Sequence, residues 1–259
     1  MGFRLIAFEA TSAVTAYTAT TALADDSITK IDSTHYKVPS QNLLLGAYGN
    51  GLHLSRYQIK TPSLSNNRVP IEVDEIDPTD DKVISTVPPF MDWSDSPPQL
   101  IAGEALEVDN LTDATSDAVA FGVWLGDGQI SYVNGTYLPG VRATSSTTLV
   151  AYTWTNCTLT FDNQLPAGAY AVVGMKATSA TGLLARLAFP ELGPRPGVIA
   201  GTQPTQAYPD FRNGRFRSGA RGQFVSWGSF VSDSPPSADF MAVTTDSAEV
   251  VELDLVKIA

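Results

Sequence analysis

Apolar residues of this chain recur in short runs separated by turn residues. The clearest case is residues 159–197, LTFDNQLPAGAYAVVGMKATSATGLLARLAFPELGPRPG, where apolar runs at 170–175 and 183–189 are flanked by Pro/Gly-rich or small-residue turns. Runs of this length, bounded by turn residues, are typical of strands covered on both faces. The second run carries one charge, Arg186. The stretch predicts consecutive core strands and contains no recognisable nucleophile, metal cluster or phosphate-binding loop.

Strand-like runs continue along the rest of the chain. Residues 52–59 and 249–258 alternate apolar with polar positions, and residues 118–125 form a longer apolar run. The GNG at residues 49–51 and the NG at residues 134–135 predict hairpin turns, because Gly and Asn tolerate positive φ. About twelve to fifteen short strands result, with no long amphipathic helix. This pattern predicts an all-β sandwich or barrel.

The N-terminal residues have no clean period. Residues 3–9 fit a strand as well as one face of a short helix, and both interpretations stay open. Arg4 and the Ala-Leu-Ala at residues 22–24 resemble a signal peptide and its cleavage site. Glu9 and repeated threonines interrupt the apolar region, however, and favour an N-terminal arm.

The number of predicted strands bears on the domain organisation. It is high for one eight-stranded jelly roll and suits two compact ones. We therefore expect an arm at residues 1–34, a first β-sandwich or jelly roll at residues 35–140 and a second at residues 141–259.

Charge is sparse and unevenly placed. Charged residues make up 17% of the 259 residues, and the net charge is −11. Such a surface repels nucleic acid and anionic membranes overall. Residues 72–127 are acidic except for Lys82, whereas residues 186–221 are mainly basic. This asymmetry is the main electrostatic clue to contacts.

Few residues suggest catalysis or metal binding. Cys157 is the single cysteine, so no intrachain disulfide is possible, and we expect a buried free thiol. His35 and His53 occur in different strand-like segments without a nucleophile elbow, which favours structural histidines. Two histidines and one cysteine argue against a zinc site. We expect no catalytic residue, no bound metal and no cofactor.

Clustered carboxylates leave two weaker alternatives. One group could supply oxygen ligands for Ca²⁺, although it lacks the EF-hand spacing and a solvated acidic loop is favoured; its members are Asp74, Glu75, Asp77, Asp80 and Asp81. Paired carboxylates for glycoside hydrolysis would be arbitrary choices among Glu104, Glu107 and Asp127.

Two segments are the best candidates for contacts with other subunits. One is the Pro-rich segment at residues 77–98, whose length is unusual for a loop in a compact domain. The other is the Arg-rich segment at residues 212–221, which could bind nucleic-acid phosphate, a neighbouring subunit or its own loops. The overall negative charge favours subunit or loop contacts. The candidate residues are Asp77, Asp80, Asp81, Trp93, Arg212, Arg215, Arg217 and Arg221.

The stretch LPAGAYAVVGMKATSATGLLARLAF with RPG at residues 195–197, and AVAFGVWLGDG at residues 118–128, resemble strand–turn segments of jelly-roll major capsid proteins of tailless icosahedral viruses. The length is similar to that of the smaller double jelly-roll capsid proteins of phages with an internal membrane. The resemblance is one of style and extends over most of the chain.

This resemblance implies a structural protein rather than an enzyme. It implies a jelly-roll sandwich, with two jelly rolls in one chain as the favoured form, and a homotrimer of pseudo-hexagonal outline. The implied partners are copies of the same chain, neighbouring capsomers, and minor capsid or penton proteins, and the implied location is the virion. Contact of the N-terminal arm with an internal membrane or the genome stays open.

Two other functions are consistent with an all-β chain. A secreted or surface β-sandwich could bind glycans by stacking sugars on tryptophan rings; the candidates are Trp93, Trp124, Trp154 and Trp227. Core packing is the simpler role for each of these rings. A β-sandwich hydrolase would need paired carboxylates that the sequence does not identify.

Overall fold

A computed structural model describes the chain as two compact all-β units. The N-terminal unit is Leu5–Asp127, and the C-terminal unit is Gly128–Ala259 together with Met1–Arg4. The described residues are 3–11, 16–51, 54–64, 71–73, 91–93, 96–112, 118–128, 131–190, 195–201 and 224–258. These ranges contain strands and turns but no helix, so none of them provides a helix able to cross a membrane. The all-β prediction is confirmed.

Ten strands belong to the N-terminal part of the chain. They are β1 (Phe3–Ala10), β2 (Thr18–Ala19), β3 (Thr21–Ala22), β4 (Tyr36–Lys37), β5 (Leu43–Gly51), β6 (Leu54–Lys60), β7 (Ile71–Val73), β8 (Met91–Asp92), β9 (Ala105–Thr112) and β10 (Val119–Gly126). One sheet has the order β3-β1-β10-β5-β8, and the other has the order β2-β9-β6-β7. The short β4 also pairs with β9, so β2 and β4 share one edge position.

This strand order is that of a jelly roll. With β3 set aside as an addition beside β1, and β2 and β4 counted together, eight strands remain. The first sheet joins the first, eighth, third and sixth of them, and the second sheet joins the second, seventh, fourth and fifth. Eight strands arranged as two Greek keys in two sheets define this fold.

The C-terminal unit repeats the same order. Its strands are β11 (Tyr132–Val133), β12 (Thr136–Ser145), β13 (Thr155–Cys157), β14 (Thr160–Phe161), β15 (Ala169–Thr178), β16 (Gly182–Ala188), β17 (Gly197–Gly201), β18 (Phe224–Val225), β19 (Gly228–Val231), β20 (Ser237–Ala242) and β21 (Glu249–Lys257). One half of the large sheet runs β12-β21-β15-β19 and the other β13-β20-β16-β17. A short parallel pairing between β15 and β17 joins the halves.

Two jelly rolls therefore follow one another in a single chain. In the C-terminal unit, β14 is an addition beside β12, and β11 and β18 form a separate two-stranded ribbon. The remaining eight strands correspond one to one with those of the N-terminal unit. This strand order confirms the predicted jelly-roll sandwich.

The core of the N-terminal unit lies between its two sheets. Phe121 on β10 and Tyr57 on β6 come from opposite sheets and are both fully buried. Their ring centroids lie 5.0 Å apart, within the range of favourable aromatic pairs. Every residue of β10 is buried, as expected for a central strand covered on both faces.

The core of the C-terminal unit is built around β21 and β20. Val251, Leu253 and Leu255 on β21 are fully buried, as is Phe240 on β20. Alternate residues of a strand share a face, so the three β21 side chains point to the same side of their sheet. This face of the sheet therefore points toward the interior of the unit.

The structure differs from the sequence in where turns and boundaries lie. Residues 49–51 were expected to form a hairpin turn, and this is wrong: they continue β5 and pair with β10. The following strand, β6, belongs to the other sheet. At residues 134–135, Gly135 instead permits close approach, because a Cβ there would lie 2.0 Å from the Lys257 carbonyl oxygen.

Two further differences concern the ends of the expected domains. An arm was expected over residues 1–34, whereas residues 3–10 form β1 inside a sheet. A division was expected near residue 140, whereas the compact units divide between Asp127 and Gly128.

Replacing the aromatic ring that links the two sheets should weaken the N-terminal unit. We expect Phe121→Ala to lower the free energy of unfolding by about 3–5 kcal/mol, because it leaves a cavity where Tyr57 packs. Urea denaturation measures this. Tyr132→Ala, at a half-exposed ring, is the control and should change stability by about 0.5 kcal/mol or less. Equal effects of the two variants would contradict this core assignment.

Candidate functional site

The two charged segments predicted to make subunit contacts occupy the same connection in the two jelly rolls. Residues 74–90 lie between β7 and β8, and residues 202–223 lie between β17 and β18, so each leads from the fifth strand toward the sixth. Residues 74–90 and 202–223 lie outside the described residues, whereas residues 91–93 and 96–98 of the Pro-rich segment are described. The two ranges outside include Asp77, Asp80, Asp81, Arg212, Arg215, Arg217 and Arg221, whose role in subunit contacts stays a prediction.

Trp93 is the contact candidate that the structure describes. It follows β8, and its backbone N–H donates to the Leu45 carbonyl at 2.9 Å. Its side chain is partly buried and packs against the core of the N-terminal unit. Part of this ring is thus committed to its own unit, and the rest is open to solvent.

The tryptophans are poorly placed for stacking on sugars. The rings of Trp124 and Trp227 are buried in the N-terminal and C-terminal units respectively. Trp154 has the Arg186 guanidinium 4.2 Å from its ring centroid, the geometry of a cation–π contact. Burial of two rings and the cation–π contact of the third make three of the four candidate tryptophans poorly suited to stacking on sugars.

A buried ion pair joins two neighbouring strands of the C-terminal unit. Arg186 on β16 lies opposite Asp239 on β20, and its Nε donates to Asp239 Oδ2 at 2.9 Å. The Arg195 guanidinium donates to the same oxygen at 2.8 Å, and Asn156 Nδ2 donates to Oδ1 at 2.7 Å. The three donors to this carboxylate offset the free-energy cost of burying its charge. This cluster braces the sheet.

The carboxylates considered for hydrolysis serve structural contacts. Glu104 accepts from the backbone N–H groups of Ser63 and Ile101 at 2.9 and 3.0 Å, and from the Ser63 hydroxyl. Burial raises the Glu104 pKa, but these hydrogen bonds outweigh it and lower the pKa overall. Glu107 contacts His35 and Lys60. These contacts give both groups a structural role.

Histidine and cysteine also hold structural positions. His35 lies between Asp32 and Glu107, while His53 lies outside the described residues. Cys157 is a buried free thiol, as expected. Burial, with the nearby Glu249 charge, raises its pKa to about 12, so the thiol stays protonated and unreactive at neutral pH.

No group of three or more metal-binding side chains is assembled among the described residues. The carboxylates considered for Ca²⁺, from Asp74 to Asp81, lie outside them. Calcium binding therefore stays a prediction from the sequence.

Glu249 is a buried acid that the sequence did not single out. It begins β21 and lies opposite Ser145 on β12, and its side chain is fully buried. It shares a strand face with the core residues Val251 and Leu253, and neither carboxylate oxygen has a hydrogen-bond partner. Burial raises its pKa to about 7 and Asp246 adds to the rise, while the backbone N–H groups of Ala248 and Glu249, which point toward the carboxylate without forming well-aligned hydrogen bonds, oppose it.

The protonation of Glu249 should make stability fall as pH rises. Its carboxyl loses its proton near pH 4.5 in the unfolded chain and near pH 7 in the folded chain. The folded form therefore binds more protons between these values, and stability is lost as pH rises through them. We expect Glu249→Gln to reduce this loss by about 2–3 kcal/mol between pH 5 and pH 8.

Urea denaturation at the two pH values measures the effect. Glu252→Gln is the control, since Glu252 lies on the same strand but is partly exposed and paired with Lys176 at 3.3 Å. This control should keep the wild-type loss of stability. An unchanged pH dependence in Glu249→Gln would show that the buried carboxyl does not govern it.

Comparisons with known proteins add little to this geometry. No family model and no curated protein matches the chain. A solved structure described as "The Triple Jelly Roll Fold and Turret Assembly in an Archaeal Virus" aligns with 7% identity and a TM-score of 0.20, covering 99% of this chain and 80% of that chain. At that TM-score the alignment carries no argument. The fold assignment rests on the strand order described above.

Proposed function

We propose that this chain is a major capsid protein that builds an icosahedral viral shell by self-association. The observation that carries the proposal is the tandem arrangement of two jelly rolls with the same strand order in one chain. Jelly rolls occur in viral capsids as well as in lectins and cupins, so fold alone leaves several functions. The sequence resemblance to double jelly-roll capsid proteins favours the first of these.

The buried tryptophans weigh against the main alternative. Glycan recognition by aromatic stacking needs exposed rings, and Trp124 and Trp227 are buried. Shell formation needs instead a rigid wall with interacting surfaces, and closed rotational symmetry is the common way to arrange identical copies. In this proposal three chains form a capsomer, which contacts neighbouring capsomers and minor capsid or penton proteins in the virion.

Charge complementarity supports contacts between copies. The connection between β7 and β8 is acidic. The connection between β17 and β18 carries most of the arginines of residues 186–221. Opposite charges on equivalent connections would set the register of neighbouring copies more than their affinity. The mechanism proposed is thus burial of loop and edge surfaces, directed by charge.

Mass measurement tests self-association directly. We expect native mass spectrometry of the purified chain to show three copies or larger multiples. Dilution and salt titration show whether the multiples are specific. A strict monomer that binds glycans on an array would instead support the alternative function.

The basic connection should govern how assembly depends on salt. We expect the triple variant Arg212→Ala, Arg215→Ala, Arg217→Ala to weaken assembly and to reduce its sensitivity to salt, because salt screens exposed charges. Light scattering at 0.05 to 0.5 M NaCl, which spans Debye lengths of about 14 to 4 Å, is the measurement.

Arg142→Ala is the matched control for the triple variant. Arg142 is an exposed arginine paired with Asp162 at 2.6 Å within the C-terminal unit. Assembly of this control should follow the wild type. Unchanged assembly of the triple variant would remove the basic connection from the proposal without affecting the shell function itself.

A further inference from the structure

His35 lies between two carboxylates of the N-terminal unit. Its Nδ1 is 2.9 and 3.0 Å from the two Asp32 carboxylate oxygens, and its Nε2 is 2.8 Å from Glu107 Oε2. The side chain is 28% exposed, so water and protons reach it. Both ring nitrogens thus face carboxylate oxygens at hydrogen-bond distance, and Nδ1 also lies 2.8 Å from the Thr34 hydroxyl.

Only the doubly protonated imidazole satisfies both contacts. A neutral imidazole has one N–H, and its second nitrogen is an acceptor with a lone pair. The Thr34 hydroxyl, 2.8 Å from Nδ1, could donate to that lone pair, but one carboxylate would still face the lone pair and be repelled. The imidazolium donates from both nitrogens and pairs with both negative charges.

The backbone register shows that His35 connects β4 to β9. β4 pairs with β9 through Tyr36 opposite Leu106 and Lys37 opposite Ala105. Continuing this antiparallel register by one residue sets His35 opposite Glu107. Because β4 has only two residues, the side-chain contact extends a short pairing at the edge of its sheet.

We propose that Asp32, His35 and Glu107 form a proton-operated clamp, which fastens β4 and its preceding turn to β9 when His35 carries two protons and loosens them when it loses one. Histidine is the side chain whose charge ordinarily changes between pH 5 and 8. The clamp makes the attachment of an edge strand depend on pH.

Asp32 holds its charge across this range. Asp32 accepts from the backbone N–H groups of Thr34 and His35 at 2.8 and 2.9 Å. These donors, with the Thr34 backbone contribution largest and the His35 ring next, hold the pKa of Asp32 well below its usual range. The acceptor on the Asp32 side therefore stays ionised.

The Glu107 side is anchored by a lysine. Lys60 on β6 contacts Glu107 and lies 3.0 Å from Asp109, which also accepts from Gln58 at 3.0 Å. Burial lowers the Lys60 pKa, but these two carboxylates outweigh it and raise the pKa overall. Glu107 and Asp109 thus share one lysine, and Glu107 also faces the His35 ring.

Local hydrogen exchange reports whether the clamp opens. The Ile31 N–H donates to the His35 carbonyl at 2.9 Å, and the Lys37 N–H donates to the Thr29 carbonyl at 2.8 Å. In peptides covering residues 29–37, we expect protection, corrected for the intrinsic exchange rate, to fall about fivefold from pH 5.5 to pH 8.5, the upper range for an exposed ion pair.

Variants of the bridging residue separate the clamp from general effects of pH. In His35→Gln the same peptides should change by less than about twofold between the two pH values and should match the wild type at pH 8.5. Glu107→Gln should behave likewise, so the test does not depend on one variant folding. His53→Gln, the other histidine, should keep the wild-type response.

Peptides from β10 in the same unit are the internal reference and should not respond to the His35 variant. Wild-type protection that is independent of pH would overturn the clamp. So would a fivefold loss that survives in His35→Gln. A response shared equally by β10 would mean that the whole unit loosens, and this too would contradict a local clamp.

Discussion

In both units the structure depends on the last strand pairing between the first and third strands. β10 lies between β1 and β5, and β21 lies between β12 and β15. The pairing of β12 with β21 extends from Thr136 opposite Lys257 to Ser145 opposite Glu249. Such pairings join residues far apart in sequence, so the entropy of closing the loop must be offset by burial of the strand. Each jelly roll closes only when its last strand is in place.

Burial of charge is handled differently at two places in the C-terminal unit. Asp239 is buried with donors from Arg186, Arg195 and Asn156, so its charge is compensated by a network. Glu249 is buried without a hydrogen-bond partner, so its charge is avoided by holding a proton. The first arrangement joins two neighbouring strands, whereas the second makes the stability of the unit depend on pH.

Strands could be predicted from local pattern, but their partners could not. The apolar runs at residues 170–175 and 183–189 do lie in β15 and β16. The glycines at residues 49–51 predicted a hairpin, yet the chain crosses to the other sheet after β5. Turn chemistry is local, while the choice of sheet is decided by long-range burial.

The same limit applies to the functional residues. The lone charge of Arg186 in an apolar run could have indicated a buried partner, but nothing local points to Asp239. Glu249 begins an alternating strand like many solvated acids, and only its burial distinguishes it. His35 pairs with Glu107 through register between β4 and β9, which depends on the completed sheet.

The proposed function joins these features into a wall-forming protein. In this proposal each jelly roll supplies part of the wall, and the charged connections after the fifth strand of each supply the surfaces at which copies would join. Electron cryomicroscopy of the purified material tests this most directly. We expect closed capsomers of three chains, each chain contributing two eight-stranded sandwiches with the last strand between the first and third. Dispersed single chains under all assembly conditions would contradict it.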